Sequence, residues 1–153
     1  MRVLLDTTYF LPSIGVSLSQ VPWDVVFRVR GGNKVFVSEL TLFELSAKGA
    51  KYVNVGMIPA GNVVQGVNAI LVDEKITKVP FTIPQIMETA ISLRKLVRDY
   101  LDCALLASAV QRCDLFLTED TELLRKGTEL DEVLGEINPD FAIKNWADVE
   151  RSV

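Results

Sequence analysis

Short runs of aliphatic residues alternate with longer stretches at helical spacing along this chain. Each run is too short for a helix and is dense in Val, Leu or Ile, as is typical of strands buried on both faces. Strands that alternate with amphipathic helices form a mainly parallel sheet covered by helices. The pattern therefore predicts an α/β fold, a three-layer α/β/α sandwich, with strands at residues 2–5, 34–37, 76–79 and 115–117.

The segments between these strands carry the signals of helix starts and ends. Valines at helical spacing predict a helix over residues 21–30, and Gly31, Gly32 and Asn33 are expected to end it. Ser38 is a natural N-cap for the helix after the second strand. Residues 49–62 are rich in Gly and Asn and are predicted to form a helix end and a connection.

The second half of the chain continues the same alternation. Helices are expected over residues 63–72, 83–97 and 99–113, then a long loop over 127–139, an edge strand at 141–144 and a short helix at 146–150. No internal repeat or low-complexity segment interrupts this order.

Length and composition indicate one domain spanning residues 1–153, because 49% hydrophobic residues suffice for a sizeable core. Asp6 and Pro12 break the apolar start, so no signal peptide is expected, and no apolar run reaches membrane-spanning length. Cys103 and Cys113 fall in one predicted helix about 15 Å apart, too far for a disulfide. Free thiols without a membrane segment indicate a cytoplasmic protein.

Four carboxylates lie where the predicted topology brings the chain to one edge of the sheet. Asp6 and Asp120 directly follow strands, and the carboxyl ends of parallel strands form the usual functional crevice. Glu44 is about 9 Å along its helix from that edge. Asp102 begins a helix whose N-terminus belongs at the same edge, since a right-handed crossover returns the chain to the strand starts. All four acids are therefore expected to converge.

The chain contains no histidine, which excludes a Ser-His-Asp triad, a histidine general base and the usual zinc ligand sets. Four nearby carboxylates repel one another unless they are protonated or neutralised. Mg²⁺ and Mn²⁺ prefer oxygen ligands and accept a few carboxylates together with substrate phosphate. We therefore assign Asp6, Glu44, Asp102 and Asp120 as candidate metal ligands and catalytic residues.

Neighbouring polar residues leave alternatives open. Asp120 could simply cap the helix that starts at Thr121, with Glu119 or Glu122 taking its place in the site. Asp99 is predicted as an N-cap, although its spacing puts it on the same helix face as Asp102. The hydroxyls of two threonines beside the site could orient a metal-bound water or support a carboxylate; these are Thr7 and Thr118.

Four segments, in this order, resemble the PIN domain, a metal-dependent nuclease fold: LLDTTYFLP, SELTLFELS, DCALLASA and LFLTED. The resemblance spans residues 2 to about 126, and it puts Asp6, Glu44, Asp102 and Asp120 at the family's acidic positions. It implies an endoribonuclease dependent on Mg²⁺ or Mn²⁺. It also implies a homodimer and, for a toxin of the VapC type, an antitoxin protein as partner.

Several functions remain open at this point. An RNA-processing nuclease without an antitoxin would share the same site. A catalytically silent PIN-fold module could bind a partner through its acidic face. A phosphotransferase with Asp6 as nucleophile would be expected to have a second aspartate at position 8, where this chain has Thr. Bases that could form a rim for RNA phosphates are scattered; they are Arg28, Arg30, Lys34, Lys48, Lys51, Arg94, Lys95 and Arg98.

Overall fold

Five parallel strands form one central sheet in the order β3-β2-β1-β4-β5. The structure, a computed structural model, describes residues 1–150, so the last three residues of the predicted 1–153 domain lie outside the described residues. The predicted strands are confirmed, and the edge strand is β5; the bounds are β1 Arg2–Leu5, β2 Lys34–Ser38, β3 Ile76–Val79, β4 Leu115–Leu117 and β5 Ala142–Lys144.

Helices cover both faces of this sheet, as the buried side chains of β1 illustrate. Val3 and Leu5 point into one apolar cluster, while Leu4 between them points into another, because successive side chains of a strand alternate. The first cluster packs against a 3₁₀ helix, Thr7–Ile14, and against α1 Val25–Gly32, α2 Glu39–Asn54, α3 Ala60–Val72 and α8 Trp146–Val149. The second packs against α4 Pro84–Leu93, α5 Tyr100–Arg112, α6 Thr121–Arg125 and α7 Gly127–Gly135. The predicted three-layer α/β/α class with a parallel sheet is confirmed.

Glycines lie inside the first two helices. Asn33 caps the end of the first, within the predicted stop at residues 31–33, and the second ends within the predicted segment 49–62. The first helix starts at Val25 and continues through Gly31 and Gly32, which do not adopt the left-handed backbone of a helix-ending glycine. The second helix passes Gly49 and ends only at Asn54. Gly49 serves packing, since a Cβ there would lie 2.6 Å from Val63 Cγ1. In the first helix the glycines form a solvent-facing last turn, and in the second Gly49 allows a close helix contact.

Other bounds also differ from the prediction. Residues 127–139 are not one long loop, because Leu130 and Leu134, one turn apart, are buried in the second cluster and hold α7 together. The helix predicted to reach residue 97 ends at Leu93. The 3₁₀ helix after Asp6 was not predicted. Both cysteines are free, as predicted, and both are buried. No helix among residues 1–150 is long and apolar enough to cross a bilayer.

Close contact between α3 and the 3₁₀ helix occurs at Gly66. A Cβ at this position would press on the Ser13 carbonyl oxygen and lie 2.7 Å from Ile14 Cγ2. The 3₁₀ helix begins at Thr7, directly after Asp6. The packing at Gly66 therefore fixes the segment that leads away from the end of β1.

Candidate active site

All four predicted carboxylates line one cavity at the carboxyl edge of the sheet. The cavity has a volume of about 370 Å³. Asp6 follows β1, Glu44 lies in α2, Asp102 in the first turn of α5, and Asp120 directly before α6. The structure therefore brings Asp6, Glu44, Asp102 and Asp120 together, and the cavity's other lining residues are Thr8, Gln20, Lys48, Glu119 and Thr121.

Asp6 is held by a donor at each carboxylate oxygen. Its Oδ1 accepts the Thr7 backbone N–H at 2.6 Å, which caps the 3₁₀ helix, and its Oδ2 accepts the Thr118 hydroxyl at 2.7 Å. Burial raises the pKa of Asp6, and the two hydrogen bonds oppose that rise. Asp6 thus caps the 3₁₀ helix and also lines the cavity.

Thr7 connects Asp6 to Glu44. Its side chain is fully buried, its N–H goes to Asp6, and its hydroxyl donates to Glu44 Oε2. The other Glu44 oxygen, Oε1, lies 3.0 Å from Lys48 Nζ, one helical turn further along α2. Thr7 and Thr118 therefore each support a carboxylate, one of the two roles considered for them.

Asp102 is the carboxylate with the fewest partners. The structure gives it no hydrogen bond or ion pair within residues 1–150, whereas Asp99 caps α5 by accepting the Leu101 N–H at 2.7 Å, as predicted. Burial raises the pKa of Asp102 to about 7, and Asp120, Asp99, Asp6 and Glu44 add to the rise. Within residues 1–150, no hydrogen bond or ion pair therefore offsets the burial of the Asp102 carboxylate.

Asp120 both caps a helix and lines the cavity. Its Oδ1 accepts the N–H groups of Glu122 and Leu123 at 2.7 and 2.9 Å. Its own N–H donates to the Thr118 hydroxyl at 3.0 Å, so the same threonine positions Asp6 and Asp120. The capping role is therefore present, and it uses one carboxylate oxygen and leaves Oδ2 outside the cap.

Residues late in the chain, Lys144 and Trp146, hold the segment Thr118–Asp120 in place. Thr118 N–H donates to Lys144 O at 2.9 Å. Glu119 Oε1 accepts both the Tyr9 hydroxyl, at 2.6 Å, and the Trp146 N–H, at 2.9 Å. Glu119 thus lines the cavity while joining the 3₁₀ helix to the start of α8. Glu122 does not line the cavity and lies 3.4 Å from Lys126 Nζ.

The donor chemistry of the cavity suits a hard cation. Its acidic residues offer only oxygen, the chain has no histidine, and both cysteines are buried elsewhere, in the second apolar cluster. Among residues 1–150, however, no three Asp, Glu or Cys side chains stand in an arrangement that could hold a metal ion. Glu44 is directed to Thr7 and Lys48, and Asp120 Oδ1 to the α6 cap. Binding an ion would therefore require side chains to turn towards it.

Lys48 is a cavity residue whose position the sequence did not single out. It was one of eight scattered bases proposed as a rim, and it is the only one of the eight that lines the cavity. Two others pair elsewhere, Arg28 with Asp24 and Arg30 with Asp73. The i, i+4 spacing from Glu44 to Lys48 was the available signal. No local signal predicts the contact of Tyr9 with Glu119, which are 110 residues apart.

We expect Asp102→Asn to raise the melting temperature in EDTA at pH 8. The folded-state pKa of about 7 lies above the ordinary 3.8, so this group costs folding stability increasingly as the pH rises between those values. After a discount for the partial exposure of Asp102, the free energy of unfolding should rise by about 1–2 kcal/mol, and the melting temperature by about 3–6 °C. Both gains should shrink at pH 5. Thermal scans at both pH values test this, and a lower melting temperature at pH 8 would contradict it.

The fold is shared with a solved structure, the crystal structure of VapBC2 from Rickettsia felis bound to a DNA fragment from their promoter. One chain of that structure matches with a TM-score of 0.61 at 14% sequence identity, covering 95% of this chain and 98% of that one. No protein-family model and no curated protein matches the sequence. The likeness confirms the predicted PIN-like fold, and at this identity it speaks for the fold alone.

Proposed function

We propose that the protein is an endoribonuclease dependent on Mg²⁺ or Mn²⁺ that hydrolyses RNA phosphodiester bonds. The observation that carries this proposal is the convergence of Asp6, Glu44, Asp102 and Asp120, from four separate elements, on one cavity. So many carboxylates at one place are costly without a cation. The PIN-like fold and the four sequence segments that resemble the PIN domain support the choice of a nuclease.

In this proposal the four carboxylates hold the ion and no protein nucleophile is needed. A bound Mg²⁺ or Mn²⁺ would supply an activated water and stabilise the charge on the scissile phosphate. Asp6, kept in place by Thr7 and Thr118, would be the fixed ligand, and Glu44 and Asp102 the adjustable ones. Both threonine hydroxyls already donate to carboxylates, which suits them to positioning. Hydrolysis should leave a 5′-phosphate and a 3′-hydroxyl.

The proposal includes partners. The resemblance to VapC toxins favours an antitoxin protein and a homodimer, with the protein acting in the cytoplasm. Large apolar side chains on the surface could form such protein–protein contacts. Trp23 is 84% exposed, and Phe27 and Phe43 are each 70% exposed. Light scattering of the purified chain tests the dimer. Co-purification with the product of a short adjacent reading frame would favour the toxin over an RNA-processing nuclease.

Metal binding gives a test that does not depend on finding the right RNA. We expect millimolar Mn²⁺ or Mg²⁺ to raise the melting temperature, because an ion bound by the folded state alone stabilises it by about 2.7 kcal/mol at a hundredfold excess over Kd. That corresponds to about 5–10 °C. NaCl at the same ionic strength controls for screening of the acidic surface. No difference between the salts would count against the metal site.

Cleavage gives the second test. Structured and single-stranded RNA should be cut in the presence of Mn²⁺, EDTA should stop the reaction, and the product ends should carry 5′-phosphate. Metal binding without cleavage of any RNA would favour the silent interaction module. Cleavage that continues in EDTA would overturn the proposed mechanism.

A further inference from the structure

Lys48 places a positive charge inside the acidic cavity. Its ammonium lies 3.0 Å from Glu44 Oε1, and the side chain lines the cavity together with Asp6, Asp102 and Asp120. It also acts on Asp6, whose pKa it lowers against the effect of burial. Lys48 therefore neutralises part of the charge that the four acids concentrate here.

This pair differs from the other ion pairs among residues 1–150. Glu44 has the least exposed carboxylate of the six, at 18%, whereas the comparable i, i+4 partners Asp24 and Glu122 are exposed by 25% and 50%. Its second oxygen is already taken by the Thr7 hydroxyl. A metal ion that uses Glu44 Oε1 would therefore compete with the Lys48 ammonium for that oxygen.

We propose that Lys48 is an internal counter-ion that a metal ion displaces from Glu44, and that the released ammonium then binds a phosphate of the substrate. The inference rests on the proposed function and adds a residue that links metal binding to RNA binding. A flexible lysine suits the task, because its charge sits on a long stem with three donors. The displaced ammonium would stay at the cavity, where the substrate phosphate must come.

The inference predicts effects of opposite sign from one substitution. Lys48→Gln removes both the competitor for Glu44 and a positive charge beside the cation, so Mn²⁺ should bind about three- to tenfold more tightly. The same change removes one phosphate contact, so KM for RNA should rise. The slope of log KM against log salt concentration should fall by about one. A merely structural role for Lys48 would not tighten metal binding while weakening RNA binding.

Lys51→Gln is the matched control, since it makes the same charge change in the same helix at an exposed residue that does not line the cavity. Mn²⁺ affinity is measured by calorimetry, without RNA, for the wild type, both variants and Lys48→Arg. In EDTA, Lys48→Gln should lower the melting temperature more than Lys51→Gln, and saturating Mn²⁺ should remove the difference. Lys48→Arg, which keeps the charge, should stay close to the wild type in Mn²⁺ affinity.

The outcomes separate this inference from the proposed function. Equal Mn²⁺ affinity in Lys48→Gln and Lys51→Gln, or weaker binding by Lys48→Gln, would overturn the counter-ion role while leaving the nuclease intact. A wild-type protein that binds no Mn²⁺ would overturn both the counter-ion role and the proposed metal-dependent function. Tighter metal binding with an unchanged KM for RNA would refute the phosphate contact.

Discussion

Replacing Asp6 by asparagine is expected to lower the rate of RNA cleavage by about a thousandfold or more, the largest effect on activity that the proposed site predicts. Asp6 is the most firmly positioned of the four acids, with a donor at each carboxylate oxygen. An asparagine keeps the size but carries no charge, and it turns an amide NH₂ towards either the Thr7 N–H or the Thr118 hydroxyl. Initial rates at saturating Mn²⁺ measure the effect.

Asp99→Asn is the matched control for this substitution. It removes the same charge next to the site, but Asp99 does not line the cavity and asparagine caps a helix as well as aspartate does. We expect Asp99→Asn to retain cleavage within about threefold, since only a screened charge is lost. Full activity of Asp6→Asn would contradict the site, and equal losses in both variants would show that general charge, not ligation, matters.

Gly66→Ala is expected to destabilise the fold by about 2–3 kcal/mol, the largest stability effect of a single added methyl group. The methyl would press on the Ser13 carbonyl oxygen and lie 2.9 Å from its carbonyl carbon. Backbone atoms cannot turn aside as a side chain can, so α3 or the 3₁₀ helix must shift. Urea or thermal unfolding measures the loss, about 5–10 °C in melting temperature.

Gly61→Ala provides the comparison within the same helix. A Cβ at position 61 meets no atom within 4 Å, and alanine favours the helical backbone more than glycine does. That variant should therefore be as stable as the wild type or more stable by about 0.5–1 kcal/mol. If Gly66→Ala were equally stable, the close contact between α3 and the 3₁₀ helix would not be tight in solution.

The strands could be predicted from the sequence because burial on both faces leaves a continuous aliphatic run that needs no knowledge of its partners. Helix ends were less predictable. Gly31 and Gly49 look alike in the sequence, yet one faces open space and the other contacts Val63. Leu130 and Leu134 have the helical spacing of α7, but the prediction placed them in a loop.

The site could be predicted as a set of acids but not as a set of contacts. Parallel topology alone brings Asp6, Asp102 and Asp120 to one edge, so their convergence required no detail of packing. The supports of those acids depend on which side chains meet across the sheet edge. Glu119 accepting from Tyr9 and Trp146 joins segments distant in sequence, and neither local spacing nor composition marks such a contact.

Because residues 144–146 hold Thr118–Asp120 in place, the support of the site depends on residues that are synthesised after its carboxylates. A ribosome adds Lys144 and Trp146 after every carboxylate of the cavity has been made, yet these two residues bond the Thr118 N–H and Glu119. A nascent chain that stops before β5 carries all four acids, but its loop before α6 lacks those anchors. The loop that carries Thr118 and Asp120 therefore gains its full support only when β5 has joined the sheet.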